Sequence, residues 1–160
     1  MLLSVFAFSF WGGQTAEAQR PAKRRQAARK ARPQLRQNSR LTIRRTNLAM
    51  RKAKRHLRRN ENYTGHLRRA VAHQRYAIVL HRRGFYRKAQ NHSIRARRLA
   101  FVTIAKNRGG KPSSDIEFTQ DEIYEAGTTD ESLDNDLEKA GIEMPKDDKA
   151  ALEEDLPEVD

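Results

Sequence analysis

The 160-residue chain has no cysteine. Disulfides, thiolate metal sites and cysteine nucleophiles are therefore excluded, while the compartment stays open, because exported proteins without cysteine are common. Acid is nearly missing from the first 112 residues, where Glu17 and Glu61 face 30 Lys and Arg. His73 and His81 have no local carboxylate to orient them. No G-x-S-x-G and no glycine-rich phosphate loop is present. Nothing here assembles a catalytic constellation, and the chain reads as a non-enzyme without a cofactor. Hydrophobic residues make up 37% and aromatics 7%, so the core is small and a partner should help to stabilise it.

No apolar run is long enough to span a bilayer, which takes about 20 residues in a helix. The longest is "LLSVFAFSFW", residues 2–11. It has the length of a signal-peptide core, and Ala16-Glu17-Ala18 has the A-x-A form of a cleavage site. Residues 1–18 are thus expected to be a signal peptide, and the mature chain to be exported, periplasmic or extracellular. Two features oppose this. No basic residue precedes the run, and Arg20, Lys23, Arg24, Arg25, Arg29, Lys30 and Arg32 follow it. Positive charge tends to stay on the cytoplasmic side. The conflict is resolved if a few basic residues precede Met1.

What the chain has in abundance is segregated charge. Residues 1–112 carry a net +28; residues 113–160, with 18 acids and three Lys, carry −15. Such asymmetry describes a basic binding body with an acidic tail. Residues 19–40, interrupted by Pro21 and Pro33 and nearly without large apolar side chains, are expected to be a disordered basic arm. Residues 41–110 are expected to form a helical domain. Residues 111–160 are expected to be an acidic tail, mostly disordered, with transient helical turns at the capping-box spacings Thr119–Glu122 and Thr128–Glu131.

Helical periodicity is clearest in two segments. One stripe runs Tyr63, His66/Leu67, Ala70, His73/Gln74, Ala77, Leu80/His81, and Gly84 stops it. A second runs Tyr86, Ala89, Ser93, Ala96, Leu99/Ala100, Thr103/Ile104, closed by Asn107, Gly109, Gly110 and Pro112. So short a connection implies an antiparallel helical hairpin. A third helix is predicted over Leu41–Arg59, with Leu41, Leu48, Ala49, Ala53 and Leu57 as its apolar positions. The fold class is all-α: a hairpin or three-helix unit.

Over about 34 residues this pattern resembles one tetratricopeptide-type hairpin. Ala77, Gly84, Tyr86, Ala89 and Ala96 match that repeat's small and turn positions. His73 and Ser93 replace its large aromatics, and there is no second copy. The resemblance implies hairpin geometry and no function.

Three chemistries compete for the function. Metal is the first, with His73, His81 and His92 as candidates for a periplasmic histidine-dependent site. His73 and His81 are eight residues apart, roughly 12 Å along a helix, so a site needs His92 or another element opposite one of them. Calcium is the second: Asp134, Asp136 and Glu138 alternate like the start of a calcium loop, but Lys139 and Pro145 stand where the loop needs Gly and Glu. Polyanion binding is the third and best supported. Of the 30 basic residues in 1–112, 23 are Arg, whose planar fork pairs phosphate or carboxylate through two hydrogen bonds. The binding set is Arg44, Arg45, Arg51, Arg55, Arg58, Arg59, Arg68, Arg69, Arg75, Arg82, Arg83, Arg87, Arg95, Arg97 and Arg98. No base-reading motif is present, so the expected partner is an anionic polymer or surface: nucleic acid, anionic lipid or acidic glycan. An acidic protein would serve equally, and so would the chain's own tail, acting as an internal competitor. A chain kept inside the cell would instead be a sequence-independent nucleic-acid binder.

Overall fold

A computed structural model of the chain describes the backbone of residues 16–107, 116–120, 122 and 128–159, with side chains from residue 31 onward. The proposed signal peptide lies mostly outside these residues, as do Gly109, Gly110, Pro112, Ile123 and Tyr124. Two units divide the chain, Met1–Pro33 and Gln34–Asp160. Described residues of the first are helical from Ala16. The side-chain contacts described below all lie in the second.

Among the described residues the fold is all-α: α1 (Ala16–Asn60), α2 (His66–Arg82), α3 (Tyr86–Lys106), α4 (Asp130–Lys139) and α5 (Asp148–Glu153). The expected hairpin is α2 and α3. Its turn follows from one glycine. Gly84 has φ +82, which L side chains rarely adopt. Its N–H donates to the His81 carbonyl at 2.9 Å, and the Phe85 N–H donates to Leu80 at 2.9 Å. Together these close the helix as a Schellman motif. Ala70, Ala77, Ala89, Ser93 and Ala96 are fully buried. Side chains this small let the two backbones approach closely.

α1 is the third helix, and of its expected apolar positions Ala49, Ala53 and Leu57 are buried whereas Leu41 and Leu48 are not. Leu41 and Leu48 are 44% and 41% exposed, while Ile43, Thr46, Ala49, Met50, Ala53 and Leu57 are buried. Leu41 and Leu48 share the outward phase of Arg44, Arg51 and Arg55, half a turn from the packed face. Ala49, Met50, Ala53 and Leu57 form one apolar cluster with Leu67, Ala70 and Val71 of α2 and Leu99, Ala100 and Ile104 of α3.

Neither terminal region behaves as expected. Residues 19–40 are helical within α1. Ala, Arg, Lys and Gln dominate that stretch and are strong helix formers, and from Gln34 tertiary contacts add to propensity, with Ser39 fully buried. The acidic tail is packed onto the body. Leu133, Leu137, Ala151, Leu152 and Val159 are buried; Ala151 and Leu152 join the main cluster, and Val159 joins Ile43, Ala77 and Ile78. Composition predicts disorder when a segment is judged alone. Here the basic body supplies both the opposite charge and the apolar holes.

The tail's caps explain where its helices start. α4 begins with Thr129 as N-cap, its hydroxyl accepting from the Ser132 N–H at 3.3 Å, one residue later than the Thr128–Glu131 spacing suggests. α5 begins after Asp147, whose carboxylate accepts from the Ala150 N–H at 2.7 Å. Thr119 and Glu122 do form the expected capping box. The Thr119 N–H donates to the Glu122 carboxylate at 3.0 Å, and the Glu122 N–H donates back to the hydroxyl at 3.4 Å.

Candidate anionic-partner interface

The arginines fall into three groups: one buried, several neutralised by the tail, and several free. Arg97 is the buried one. It is fully inaccessible, although the sequence places it with the surface set. Its guanidinium donates to both Glu122 oxygens at 3.0 and 2.8 Å, to the Thr42 carbonyl at 3.1 Å, to the Glu117 carbonyl at 3.2 Å and to the Thr46 hydroxyl at 3.2 Å. Glu122, 4% exposed, also accepts from the Thr42 hydroxyl at 2.9 Å. Burial alone would raise its pKa. The Arg97 hydrogen bonds and charge outweigh that and hold it below the ordinary carboxylate range. Burial also lowers Arg97, against the pull of Glu122. Arg97 thus ties the tail to α1 and α3 and is not part of any accessible anion site. Its phase carried a signal: it lies four residues after Ser93 and three before Ala100, on the small-residue face of α3.

The second group meets α4. Asp134 accepts from Arg69 and from Arg95 at 3.2 Å, and it faces His73 Nε2 at 2.8 Å. Asp130 bridges Arg95 at 2.6 Å and Arg98 at 3.1 Å. Three cationic or protonatable groups thus converge on Asp134, whose pKa burial would raise. The Arg95 and His73 hydrogen bonds dominate and lower it. Of the alternating acids of the failed calcium loop, Asp134 therefore engages arginine and histidine, and Asp136 faces Lys88 at 3.8 Å. Farther along, Arg75 pairs with Glu154 at 3.2 Å and Arg58 with Glu153 at 3.5 Å. Arg45 reaches Glu122 at 4.0 Å, and Arg68 donates to the Lys146 carbonyl at 2.9 Å.

The metal candidates divide. α2 and α3 bring His73 and His92 together, both fully buried, with their Nδ1 atoms 3.1 Å apart and rings stacked at 5.4 Å. Tyr76 packs edge-on against His92. His81 lies elsewhere on α2, bonded to the Ser39 hydroxyl at 3.0 Å and edge-on to Tyr86. Hydrogen-bond logic assigns the tautomers of the pair. His73 Nε2–H donates to the Asp134 carboxylate, so His73 Nδ1 is an acceptor and His92 Nδ1–H donates to it. His92 Nε2 is then a buried acceptor without a partner among the described residues. Burial foremost lowers both histidines. His92, with the charge of His73 adding to the effect, falls to about 4. Among the described residues no group of three or more His, Asp or Glu side chains has a metal-binding arrangement.

The third group has no carboxylate partner among the described residues. It comprises Arg44, Arg51, Arg55 and Arg59 on α1, and Arg82, Arg83 and Arg87 around the hairpin turn, all exposed. The α1 members step by seven, four and four, so they form one outward stripe with Leu48 between Arg44 and Arg51. No helix among the described residues is long and apolar enough to cross a membrane. Comparison with protein-family models, with curated proteins and with solved structures gives no match. The tetratricopeptide likeness accordingly remains one of hairpin spacing.

Proposed function

We propose that the protein is a non-enzymatic binder of an anionic polymer or surface, acting through the arginines that its own acidic tail leaves free. One observation carries this reading. After the tail has neutralised Arg58, Arg69, Arg75, Arg95, Arg97 and Arg98, seven exposed arginines of the expected set remain on the α1 stripe and the hairpin turn without a carboxylate among the described residues. Like charges so arranged repel one another and destabilise the folded chain. An external polyanion relieves that repulsion. The tail acts as internal competitor, because its outer pairs hold cations that a polyanion would otherwise engage. The export expected from the leader makes envelope lipid headgroups or acidic glycan the natural ligands.

Titration with heparin, duplex DNA and anionic vesicles over a range of salt tests this. For duplex DNA the slope of log affinity against log salt should reach up to about −6 for seven contacts. Glu153→Gln/Glu154→Gln frees Arg58 and Arg75, and should tighten binding and steepen that slope by about one to two. Binding that ignores salt, or that is unchanged when Arg51, Arg55 and Arg59 become Gln, would overturn the proposal. An intact Met1 on a cell-internal product would move the reading to nucleic acid.

A further inference from the structure

Residues 154–159 leave α5 and run to Val159 without helix or strand. Glu154 has extended dihedrals, φ −74 and ψ 126. Leu152 enters the cluster that holds Met50, Ala53 and Leu57 of α1, and half-buried Leu156 packs against the same cluster. Val159 enters the second cluster with Ile43, Ala77 and Ile78. The segment therefore lies against α1 and α2 and runs from the Arg58 end of α1 toward its Ile43 end, antiparallel to it.

The body holds the segment as a groove holds a peptide. Lys54 donates to the carbonyls of Leu152, at 3.2 Å, and Glu154. Arg58 reaches the Leu152 carbonyl at 3.3 Å. Arg75 takes the Glu154 carboxylate and Arg58 that of Glu153. The seating is incomplete. A cavity of about 550 Å³ stays open between Met50, Arg51, Arg55 and the segment's Asp155 and Leu156. Among the described residues no backbone–backbone hydrogen bond joins residues 154–159 to the body. Capture by side chains, apolar anchors in separate holes and exposed ion pairs describe a reversible peptide contact more than a core element.

We propose that the α1–α2 groove is a binding site for an acidic segment of another protein, a helical turn running into extended chain, with apolar residues spaced as Leu152, Leu156 and Val159, and that the chain's own C-terminal segment occupies it in cis. Charge complementarity selects that class: Arg51, Lys54, Arg55 and Arg58 line the groove against Glu153, Glu154 and Asp155. The apolar anchors and the carbonyl capture by Lys54 distinguish it from a site for a bare polyanion. The proposal goes beyond the polyanion reading and fails separately from it.

The test uses the full chain and a fluorescent peptide of the sequence ALEEDLPEV. The full-length Leu156→Ser/Val159→Ser variant, with its cis segment weakened, should bind the peptide at least ten-fold more tightly than the unaltered chain. A peptide carrying Ser at all three apolar positions should not bind either. Equal affinity of the two chains, or equal binding of the two peptides, would overturn the proposal; the second result assigns the surface to charge alone. Should the variant lose its helical circular dichroism, hydrogen exchange on the unaltered chain decides. Millimolar peptide should speed exchange at residues 154–159 and leave α2 and α3 unchanged, and no change refutes displacement. Dimers seen by light scattering and dissolved by the peptide would assign the groove to a second copy and likewise overturn the partner reading.

Discussion

Arg97 and Glu122 are where a single residue matters most. Two charges out of water are tolerated because every strong donor and acceptor of the pair is used. Glu122→Gln leaves the guanidinium buried without its countercharge and should destabilise the fold by about 3 kcal/mol, measured by urea denaturation. Arg97→Met/Glu122→Leu should recover most of that loss, because it removes both desolvation costs together. His92 sets a second expectation. It is neutral when folded and has its pKa pushed down to about 4, facing His73 and Tyr76 on α2, Lys88 on α3, and Asp134 and Asp136 on α4. Above pH 6.5 it is neutral in both states and costs nothing. As pH falls from 6.5 toward 4, the unfolded chain takes up a proton that the folded chain refuses. Stability then declines by up to about 3 kcal/mol from this group. His92→Gln should flatten that limb of a stability–pH curve. Below it, protonation of Asp134 and Glu122, whose pKa values are held low in the fold, removes the ion pairs that hold the tail.

Among the elements, α2 shows how the tail has become structural. Its N-cap is Gly65, which has no side chain to offer. Asp148 of α5, 2% exposed, supplies the missing acceptor, taking the Gly65 N–H at 2.6 Å and the Arg68 N–H at 2.8 Å. A carboxylate there also complements the positive end of the helix dipole. Asp148→Ala should cost about 2 kcal/mol and Asp147→Ala, at an exposed local cap, about 1 or less; thermal melts of the two variants compare them. Gly84→Ala forces a side chain into φ +82 and should cost about 1 kcal/mol. The Gly84 stop and the α2 and α3 stripes were legible because a turn residue and a 3.6-residue period are local signals. The outward phase of Leu41 and Leu48 was not. Two faces of α1 carry apolar residues, and only the neighbours choose between them.

For the whole molecule, the charge division is the organising fact. A +28 region followed by a −15 region folds back on itself, yet positive charge remains in excess. Added heparin should therefore raise the melting temperature at low salt, since a ligand of the folded state stabilises it by mass action. The effect should fade as salt screens the arginines. No rise at saturating heparin would contradict the excess-charge account of the surface.

The all-α class, the hairpin with its glycine stop, the third helix and the opposition of basic body and acidic tail follow from the order of the residues alone. These are properties of spacing and composition, which act locally or as sums. Which arginines are buried, neutralised or free was settled by the packed fold. It also decided that His73 meets His92 and not His81, that Asp148 caps a helix some 80 residues before it, and that the C-terminal segment lies in a groove. Each of these depends on long-range pairing between groups of opposite charge or matching shape, and a charged side chain in sequence carries no mark of the one it will meet.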